Sequence, residues 1–177
     1  GVLPGLVSPT DLATDRQFSM SLSRGLDVLR AFAPDRPALG NQEIVERTGL
    51  PMSTESRLTY TLVMLGYLAR DESSRKYRLS AGGLSLAHPM LAGLQVRQVA
   101  RRFMAPLALR TRCTVNLAIR DRLQAVYIDS CRPDLSNPYL PDIGSTRPLL
   151  NSSIGRALIL ASPRSTATAI LNRLKVA

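Results

Sequence analysis

The chain is poor in the side chains that most often bind metals or form disulfides. Its 177 residues include two cysteines and a single histidine, His88. Two cysteines cannot build the disulfide framework of a small secreted domain, and a reducing cytoplasm suits them. One histidine provides no zinc site, and a serine-type triad would have to use His88, whose position in a predicted linker helix counts against that role. No phosphate-binding loop or acid–base pair is present. The sequence therefore predicts no metal, no cofactor and no enzymatic activity.

The sequence also lacks any run of eighteen apolar residues and opens without a typical secretory signal. A membrane-spanning helix is therefore not expected, and residues 1–17 are predicted to form a flexible tail. The hydrophobic fraction of 45% is nevertheless sufficient to fill the cores of one or two small domains. These features predict a cytoplasmic protein that is not attached to a membrane.

Acidic residues are scarce relative to basic ones, and the net charge at pH 7 is +10. Such an excess often indicates contact with nucleic acid. Its location weakens that indication, because a surplus of only 3 lies between residues 16 and 80, whereas a surplus of 9 follows residue 80. Charge alone gives weak support for DNA binding, so the case depends on the pattern of helices.

Apolar residues recur at helical spacing in three short segments near the start of the chain. They predict helices over residues 21–33, 41–48 and 51–65. Ser21 and the Ser53–Thr54 pair are expected to cap the first and third helices, and Gly66 is expected to end the third. Two short strands around a polar tip follow within residues 67–80. This order is typical of a winged helix-turn-helix, with Gly49 at the bend.

The third predicted helix has an apolar face and a polar face. Leu58, Leu62 and Leu65 lie on one apolar stripe at the helical period. The opposite face comprises Ser53, Ser56, Arg57, Tyr60 and Met64. Hydroxyl groups and a guanidinium on one face are suited to docking on a phosphate backbone and reading base edges. Glu55 lies at the edge of the apolar stripe, where it must reach water or a partner such as Arg47, because burial of an unpaired carboxylate costs several kcal/mol.

Two further helices are predicted after residue 80. The first is a linker helix over residues 81–92, and Gly93 and Pro106 are expected to interrupt the helical pattern. One face of the linker helix is expected to comprise Leu84, Ala87 and Leu91. The apolar face of the next helix is expected to comprise Leu94, Val96, Val99, Phe103 and Leu107. Its outer face is expected to comprise Arg97, Arg101 and Arg102.

The segment that follows contains two strand-like runs, CTVNLAIR and QAVYIDSC, joined by the tight loop Asp121–Leu123. A symmetric hairpin would place Cys113 opposite Cys131, but hydrophobic patterning favours a register shifted by one, with Val115 opposite Ile128. The two thiols are therefore expected to be free. An irregular, proline-rich loop leads to a capped helix in SSIGRALILA and to one more helix. Strands that alternate with helices predict an α/β second domain.

Several segments together resemble the IclR family of bacterial transcriptional regulators. They are SLSRGLDVLRAF, EIVERTGLP with the ST, RL and LGYL that follow it, and KYRLS. The later NLAIRD and GSTRPLLNSSIGRALILA are similar to the first half of that family's effector-binding domain, which has a GAF-like fold. The resemblance implies an α+β protein with a winged helix-turn-helix over 18–80, a linker helix over 81–92 and an effector-binding domain over 93–177. Since the family's second domain is longer than this last segment, that domain is expected to be incomplete at its C-terminal end.

The resemblance also implies partners and sites. It implies a homodimer or tetramer that binds a palindromic operator in double-stranded DNA and is switched by a small-molecule metabolite. The implied DNA-binding residues are Ser53, Thr54, Ser56, Arg57, Thr59 and Tyr60, with Arg75 and Lys76 in the wing. Arg57 is the strongest of these, because a guanidinium can bridge a phosphate or pair with guanine N7 and O6. The implied effector contacts are Gly144, Asn151, Ser152, Ser153 and Ile154.

Each of these interpretations has an alternative. The polar face of the third helix is also what an ordinary solvated helix would present, and SSIGRALILA would also suit a plain capped helix that packs on the sheet. Arg147 would either pair with an acidic metabolite or lie on the surface. At the level of function, the alternative is a truncated, impaired regulator that persists as a dimerisation or interaction module without specific DNA binding. Dimer contacts are expected from the 19–32 helix and the linker helix.

Overall fold

The computed structural model describes residues 5–133 and 143–174, which form two compact units. The first unit is Pro9–Met90, and the second contains the described residues of Leu91–Ala177 together with those before Pro9. The predicted tail contains a 3-10 helix at Pro9–Leu12. In the described parts of the chain no helix is both long enough and apolar enough to cross a lipid bilayer.

The first unit contains three helices and a small sheet. The helices are α1 at Met20–Arg30, α2 at Asn41–Thr48 and α3 at Met52–Met64. The strands are β1 at Ala38–Leu39, β2 at Leu68–Arg70 and β3 at Tyr77–Leu79, in the order β1-β3-β2 and antiparallel throughout. The predicted hairpin is confirmed, but β1 was not predicted, because a strand of two residues is too short to show alternation.

One apolar core holds the three helices and the sheet of this unit together. It contains Val28 and Phe32 from the region of α1, Ile44 from α2, Leu62 from α3, and Leu39, Leu68 and Tyr77 from the sheet. Gly49 and Gly66 follow α2 and α3 with φ of 68° and 77°, in the left-handed region that favours glycine. The predicted ends of the second and third helices are therefore confirmed.

The helix starts differ from the prediction. Ser19, not Ser21, caps α1, since its side chain accepts a hydrogen bond from the backbone N–H of Leu22 at 3.4 Å. Pro51 occupies the N-cap position of α3 and no side chain caps that helix. Ser53 and Thr54 lie inside the first turn instead, because a proline with φ of −60° and ψ of 142° leads the chain directly into the helix.

The second unit is built around an antiparallel sheet of β4 at Val115–Asp121, β5 at Gln124–Cys131 and β6 at Thr146–Pro148, in that order. It is preceded by α4 at Ala81–Gly93 and α5 at Gln95–Thr111, and followed by α6 at Ser153–Ala161 and α7 at Arg164–Leu174. Pro106 lies inside α5 without interrupting it, contrary to the prediction, whereas the break after Gly93 is confirmed. The middle of the predicted irregular loop, residues 134–142, lies outside the described residues.

A β-bulge sets the register of the β4–β5 hairpin. Asp121 pairs with Gln124, but a shift between Leu117 and Ala118 places Val115 opposite Cys131. The predicted pairing of Val115 with Ile128 is therefore wrong, because a bulge adds a residue to one strand that hydrophobic alternation cannot anticipate. Both thiols are free as predicted, with Cys113 exposed and Cys131 buried.

The bulge divides the side chains of β5 between two cores. Ala125 and Tyr127, before the bulge, pack with Leu149, Ile159 and Ile170 in a cluster that includes α6 and α7. Cys131, beyond the bulge, packs with Met104 and Ala108 of α5. The sheet therefore has α5 on one face and the pair α6 and α7 on the other.

The buried face of α5 is not the one predicted. Met104 and Ala108 face the sheet, while Phe103 is 67% exposed and Val96 and Val99 are each 46% exposed. Arg97 and Arg101 instead approach the buried carboxylate of Asp129, at 3.9 and 3.8 Å. A buried carboxylate draws cationic side chains to its face of the sheet, and periodicity alone cannot reveal it. The predicted Leu84, Ala87 and Leu91 face of α4 has no buried residue.

Candidate functional site

The polar face predicted for the third helix is present on α3. Ser53, Ser56 and Arg57 are exposed, and Tyr60 and Met64 are 66% and 67% exposed. These positions recur every three or four residues, so they form one continuous surface along the helix. The core side of α3 is held by Leu62, and Leu58 is half-buried beside it. Leu65 is 63% exposed, which corrects its predicted place in the core stripe, because the helix ends one residue earlier.

Thr59 is not part of this surface. Its side chain is fully buried, and its hydroxyl donates to the backbone carbonyl oxygens of Glu55 and Ser56 at 3.0 and 3.1 Å. The expectation that Thr59 contacts DNA is therefore wrong. On a helical wheel Thr59 lies close to the buried Leu62. Its hydroxyl can be buried because its hydrogen-bonding requirement is met by carbonyl oxygens of the preceding turn. Thr54 is half-buried and lies on the side of α3 that faces α1.

Glu55 is the least expected group in this unit, because its side chain is fully buried. Asn41 at the start of α2 donates its side-chain amide to Glu55 Oε2 at 3.0 Å, and Oε1 has no hydrogen-bond partner among the described residues. The suggested partner Arg47 donates instead to the carbonyl oxygen of Ala31 at 2.9 Å. Burial raises the pKa of the Glu55 carboxyl above its usual 4.5, and the bond from Asn41 partly offsets that rise.

The wing presents fewer free cations than its sequence predicts. Lys76 lies 3.0 Å from Glu43 Oε2 and is thus engaged within the unit, which counts against its predicted role in DNA contact. The same carboxylate oxygen accepts from the backbone N–H of Gly40 at 2.7 Å and so helps to start α2. Arg75 is exposed at the tip of the wing, with φ of 54°. Arg75 is therefore the better placed of the two predicted wing residues.

Sequence reasoning overlooked two other wing arginines. Arg70 and Arg78 are both exposed, on β2 and β3, and the guanidinium of Arg70 lies 5.9 Å from the centre of the Tyr77 ring. This cation–π contact holds Arg70 against the sheet. Part of the signal was available, because Arg78 alternates with the buried Tyr77 and so points outward, whereas Arg70 shares a face with Leu68 and is exposed at the end of its strand, opposite Tyr77.

An apolar groove of about 660 Å³ lies between α1 and α3. Leu22 and Leu26 of α1 line one side, and they are 64% and 43% exposed. Leu65, Thr61 and Arg57 line the other side. A groove whose walls carry exposed leucines next to the polar face of α3 is suited to contact with another apolar helix.

The predicted effector contacts lie around the start of α6. Ser152 caps this helix as predicted, since its hydroxyl oxygen accepts from the N–H of Gly155 at 3.1 Å and its hydroxyl donates to the carbonyl of Pro148 at 2.7 Å. The Ser152 hydroxyl therefore both donates and accepts a hydrogen bond within the chain. Ile154 is half-buried against the core that includes Leu149, so little of its side chain is free to contact a ligand.

The remaining candidates of this region are more open. Asn151 and Ser153 are exposed, and Gly144 is exposed in a turn with φ of 90°. The N–H of Gly144 donates to the carbonyl of Tyr127 at 2.8 Å, which joins this turn to β5. Arg147 on β6 is also exposed, and its guanidinium donates to the backbone of Thr146 at 3.2 Å.

Comparison with known families agrees with this arrangement. Residues 21–72 match the family model described as the IclR helix-turn-helix domain. Residues 88–177, which are more than half of the chain, match the model described as the bacterial transcriptional regulator IclR C-terminal domain. The chain belongs to the IclR family. The resemblance seen in the sequence is therefore confirmed, as is the mixed helix and sheet architecture.

Known members of the IclR family are similar along most of this chain. A crystal structure of an IclR family regulator from Brucella abortus has 44% sequence identity and a TM-score of 0.85, and the match covers 98% of this chain and 66% of that one. An IclR homolog from Microbacterium hydrocarbonoxydans, solved in complex with 4-hydroxybenzoate, has 27% identity and a TM-score of 0.65, with 86% and 63% covered. The HTH-type transcriptional regulator TsaQ1/TsaQ2 of Comamonas testosteroni is 41% identical over 145 residues, covering 81% of this chain and 52% of that protein. The chain thus spans about half the length of the curated relatives it matches.

The Glu43 carboxylate provides a test of how the wing is attached to the IclR-type helix-turn-helix. Its pKa is lowered from the usual 4.5, first by the bond from the Gly40 N–H and then by Lys76. A lowered pKa contributes stability above the unfolded value, and that stability is lost as the pH falls through the folded value. Glu43→Gln should therefore lower the melting temperature near neutral pH and have a diminishing effect as the solution is acidified.

Glu46 is a control for Glu43, because it lies on the same helix and lacks the contacts to Gly40 and Lys76. Glu46 is exposed, and within the described parts of the chain its carboxylate accepts only a side-chain bond from Gln42 at 3.3 Å. Glu46→Gln should leave the melting temperature nearly unchanged across the same pH range. Equal melting curves for the two variants would show that the Glu43 contacts do not stabilise the wing.

Proposed function

We propose that the chain is a DNA-binding transcriptional regulator that places α3 in the major groove of its operator and responds to a small-molecule effector in the second unit. The observation that carries this proposal is the exposed face of α3, where Ser53, Ser56, Arg57 and Tyr60 form one polar surface. In a helix-turn-helix, the second helix of the motif enters the major groove. Here that helix is α3, which follows α2 after the Gly49 turn.

The roles of the individual side chains follow from their chemistry. Arg57 carries the one guanidinium on α3 and is suited to a guanine edge or a phosphate, whereas the hydroxyls of Ser53 and Ser56 are suited to phosphates. Tyr60 adds a phenol at the middle of the surface. The exposed Arg75 at the tip of the wing would follow a neighbouring phosphate or the minor groove. Residues 18–80 would therefore bind DNA, residues 81–92 would link the units, and residues 93–177 would sense the effector.

The apolar groove between α1 and α3 supports a dimer. Leu22 and Leu26 are large apolar side chains that an isolated unit leaves exposed in this groove. Contact between two copies along α1 would bury them and present two α3 helices together. A twofold pair of reading helices requires a palindromic operator, and joint binding raises affinity without any new contact to DNA.

The second unit is proposed to bind a small organic acid near the start of α6. The exposed guanidinium of Arg147 and the open positions Gly144, Asn151 and Ser153 support an anionic ligand. The Microbacterium hydrocarbonoxydans homolog was solved with 4-hydroxybenzoate, which is such an acid. A regulator of this kind would act in the bacterial cytoplasm, where the chromosome lies.

A gel-shift titration with the Arg57→Ala variant tests this function. The probe is a duplex from the region upstream of the neighbouring gene, and the competitor is a shuffled duplex of equal length and base composition. Loss of one guanidinium contact to a base or phosphate should weaken specific binding by about tenfold to a hundredfold and reduce the dependence on salt by about one charge. Arg30→Ala, an exposed arginine of α1 outside the groove, is the control and should have little effect.

An interaction module without specific DNA binding is the second candidate. The buried Glu55, with one carboxylate oxygen unpaired among the described residues, favours it, because such a group strains the contact between α2 and α3. Equal affinity of the native chain for the upstream duplex and the shuffled duplex would favour this candidate and contradict regulation.

A further inference from the structure

The carboxyl group of Glu55 is a buried, half-satisfied ionisable group within the DNA-reading helix. Oε2 accepts the amide of Asn41, and Oε1 is buried with no hydrogen-bond partner among the described residues. The hydroxyl of Thr59 donates to backbone carbonyl oxygens one turn back and does not donate a hydrogen bond to Oε1. A carboxylate in this position is poorly solvated, whereas its protonated form carries no charge that needs solvation.

The ionic groups of the neighbouring elements do not neutralise this carboxylate. On α2, Glu43 pairs with Lys76 of the wing, and the guanidinium of Arg47 is bound to the carbonyl of Ala31. The bond from Asn41 and the hydroxyl of Thr59 are the influences that favour the charged form of Glu55, and burial acts against it more strongly. Among the residues that the structure describes, no charged side chain contributes to the shift in the pKa of Glu55.

We propose that Glu55 is a positioning residue that couples DNA binding to pH: protonation of its carboxyl stabilises the contact between α2 and α3 and strengthens the binding of α3 to DNA. The coupling rests on the proposed function, since it acts on the same reading helix. Two physical effects act in the same direction. Protonation removes an unsolvated charge from the α2–α3 contact, and it removes a negative charge from a helix that faces phosphates.

The direction with pH follows from linkage. A carboxyl whose folded pKa is raised above 4.5 holds more protons in the folded state than in the unfolded state. The folded state is therefore relatively most stable at acid pH, and this advantage is lost as the pH rises from the unfolded value through the folded one. DNA phosphates would raise the proton affinity of Glu55 further, so binding should take up protons and tighten as the pH falls.

Glu55→Gln is the decisive variant, because glutamine matches the shape and the neutrality of the protonated acid. Its amide oxygen can accept the bond from Asn41, and it cannot titrate. Affinity for the upstream duplex is measured by fluorescence anisotropy across pH values from about 5 to about 8, at constant ionic strength. Near the acid end the native chain and Glu55→Gln should bind alike; near the alkaline end, where the native carboxyl is charged, the variant should bind more tightly, by up to about tenfold.

Control variants separate this effect from other titrations. Glu46→Gln removes an equal charge from an exposed site on α2 and should keep the pH dependence of the native chain. His88, the single histidine, is exposed on α4, so the comparison is repeated in a His88→Gln background. A persistent difference between Glu55 and glutamine in that background assigns the effect to the carboxyl.

A measurement without DNA distinguishes this inference from the proposed function. The melting temperature of Glu55→Gln should exceed that of the native chain near pH 8 and approach it near pH 5, a trend opposite in sign to that of Glu43→Gln. The carboxyl resonance of isotope-labelled Glu55 should titrate above the range of exposed glutamates.

Specific DNA binding with parallel pH profiles for the native chain and Glu55→Gln would overturn the coupling and leave the proposed function intact. A flat difference in melting temperature would overturn it without reference to DNA, whereas equal binding to the shuffled duplex at every pH would refute the proposed function and the coupling together.

Discussion

Replacing Gly155 with alanine is expected to destabilise the second unit by about 3 kcal/mol, the upper part of the range for overpacked cores. A Cβ at this position would lie 2.6 Å from the carbonyl carbon of Leu149 and closer still to two other backbone atoms of that residue. The backbone of Leu149 cannot shift to make room, because the Leu149 side chain is fully buried and its N–H donates to the carbonyl of Leu123 at 3.2 Å. The start of α6 would therefore be forced away from the sheet.

Thermal unfolding monitored by circular dichroism, with amide exchange to locate the loss, measures this effect. A change of this size in a unit of fewer than 100 residues should lower its melting temperature by roughly 10 °C or more. Gly83→Ala is the matched control, because its added Cβ meets no atom within 4 Å on the exposed side of α4. Alanine there should stabilise the chain by about 0.5–1 kcal/mol, since it is the better helix former. A native melting temperature for Gly155→Ala would show that α6 is not held as closely to Leu149 as described.

The same variant bears on the effector region. Gly144, Asn151 and Ser153 are placed by the approach of α6 to β5 and β6, and Gly155 is the residue that permits this approach. On the proposed function, Gly155→Ala should lose the effector response and keep DNA binding, because the substitution lies in the second unit and α3 lies in the first.

Leu22→Glu is expected to reduce operator affinity by about a hundredfold by preventing two copies from pairing along α1. Leu22 is 64% exposed in the groove, and burial of such a side chain contributes roughly 1–2 kcal/mol in each copy. Symmetry doubles that contribution, which corresponds to a factor of about 10² in the dimer equilibrium. A carboxylate in the contact would add a desolvation cost.

This substitution is chosen because the monomer should still fold. Leu22 is the third residue of α1 after the Ser19 cap, where a glutamate is favoured by the helix dipole and by capping-box geometry. Sedimentation should show a dimer for the native chain and a monomer for Leu22→Glu, and the helical content of the two should be equal. Leu160→Glu, at a leucine of α6 that is 85% exposed, is the control for added charge. A dimeric Leu22→Glu protein with native affinity would contradict pairing along α1.

Local sequence determined a large part of the first unit. The order of helices and hairpin, the turn glycines Gly49 and Gly66, and the exposed polar face of α3 were all predicted. These features depend on residues a few positions apart, and the periods of helices and strands report them directly. The family resemblance rests on the same short segments and was confirmed by the comparisons.

Other features could not be predicted because they depend on partners distant in the chain. Lys76 is paired with Glu43, thirty-three positions earlier, and this contact appears only when the wing folds beside α2. The buried face of α5 is decided by Asp129 on β5, and the register of that strand is decided by a bulge. A helical wheel gives the angle of each residue around the helix axis, but it does not show which elements of the protein pack against each face.

The helix α3 shows which features follow from local sequence and which follow from tertiary packing. Its sequence determined which side chains would share a face, because helical geometry alone places Ser53, Arg57 and Tyr60 together. The tertiary structure decided what each face meets: Thr59 is withdrawn into the core, and Glu55 is enclosed beside Asn41. Burial and proton affinity are properties of the packed environment, so the Glu55 carboxyl in the first turn of this helix acquires its raised pKa only when it is packed beside α2.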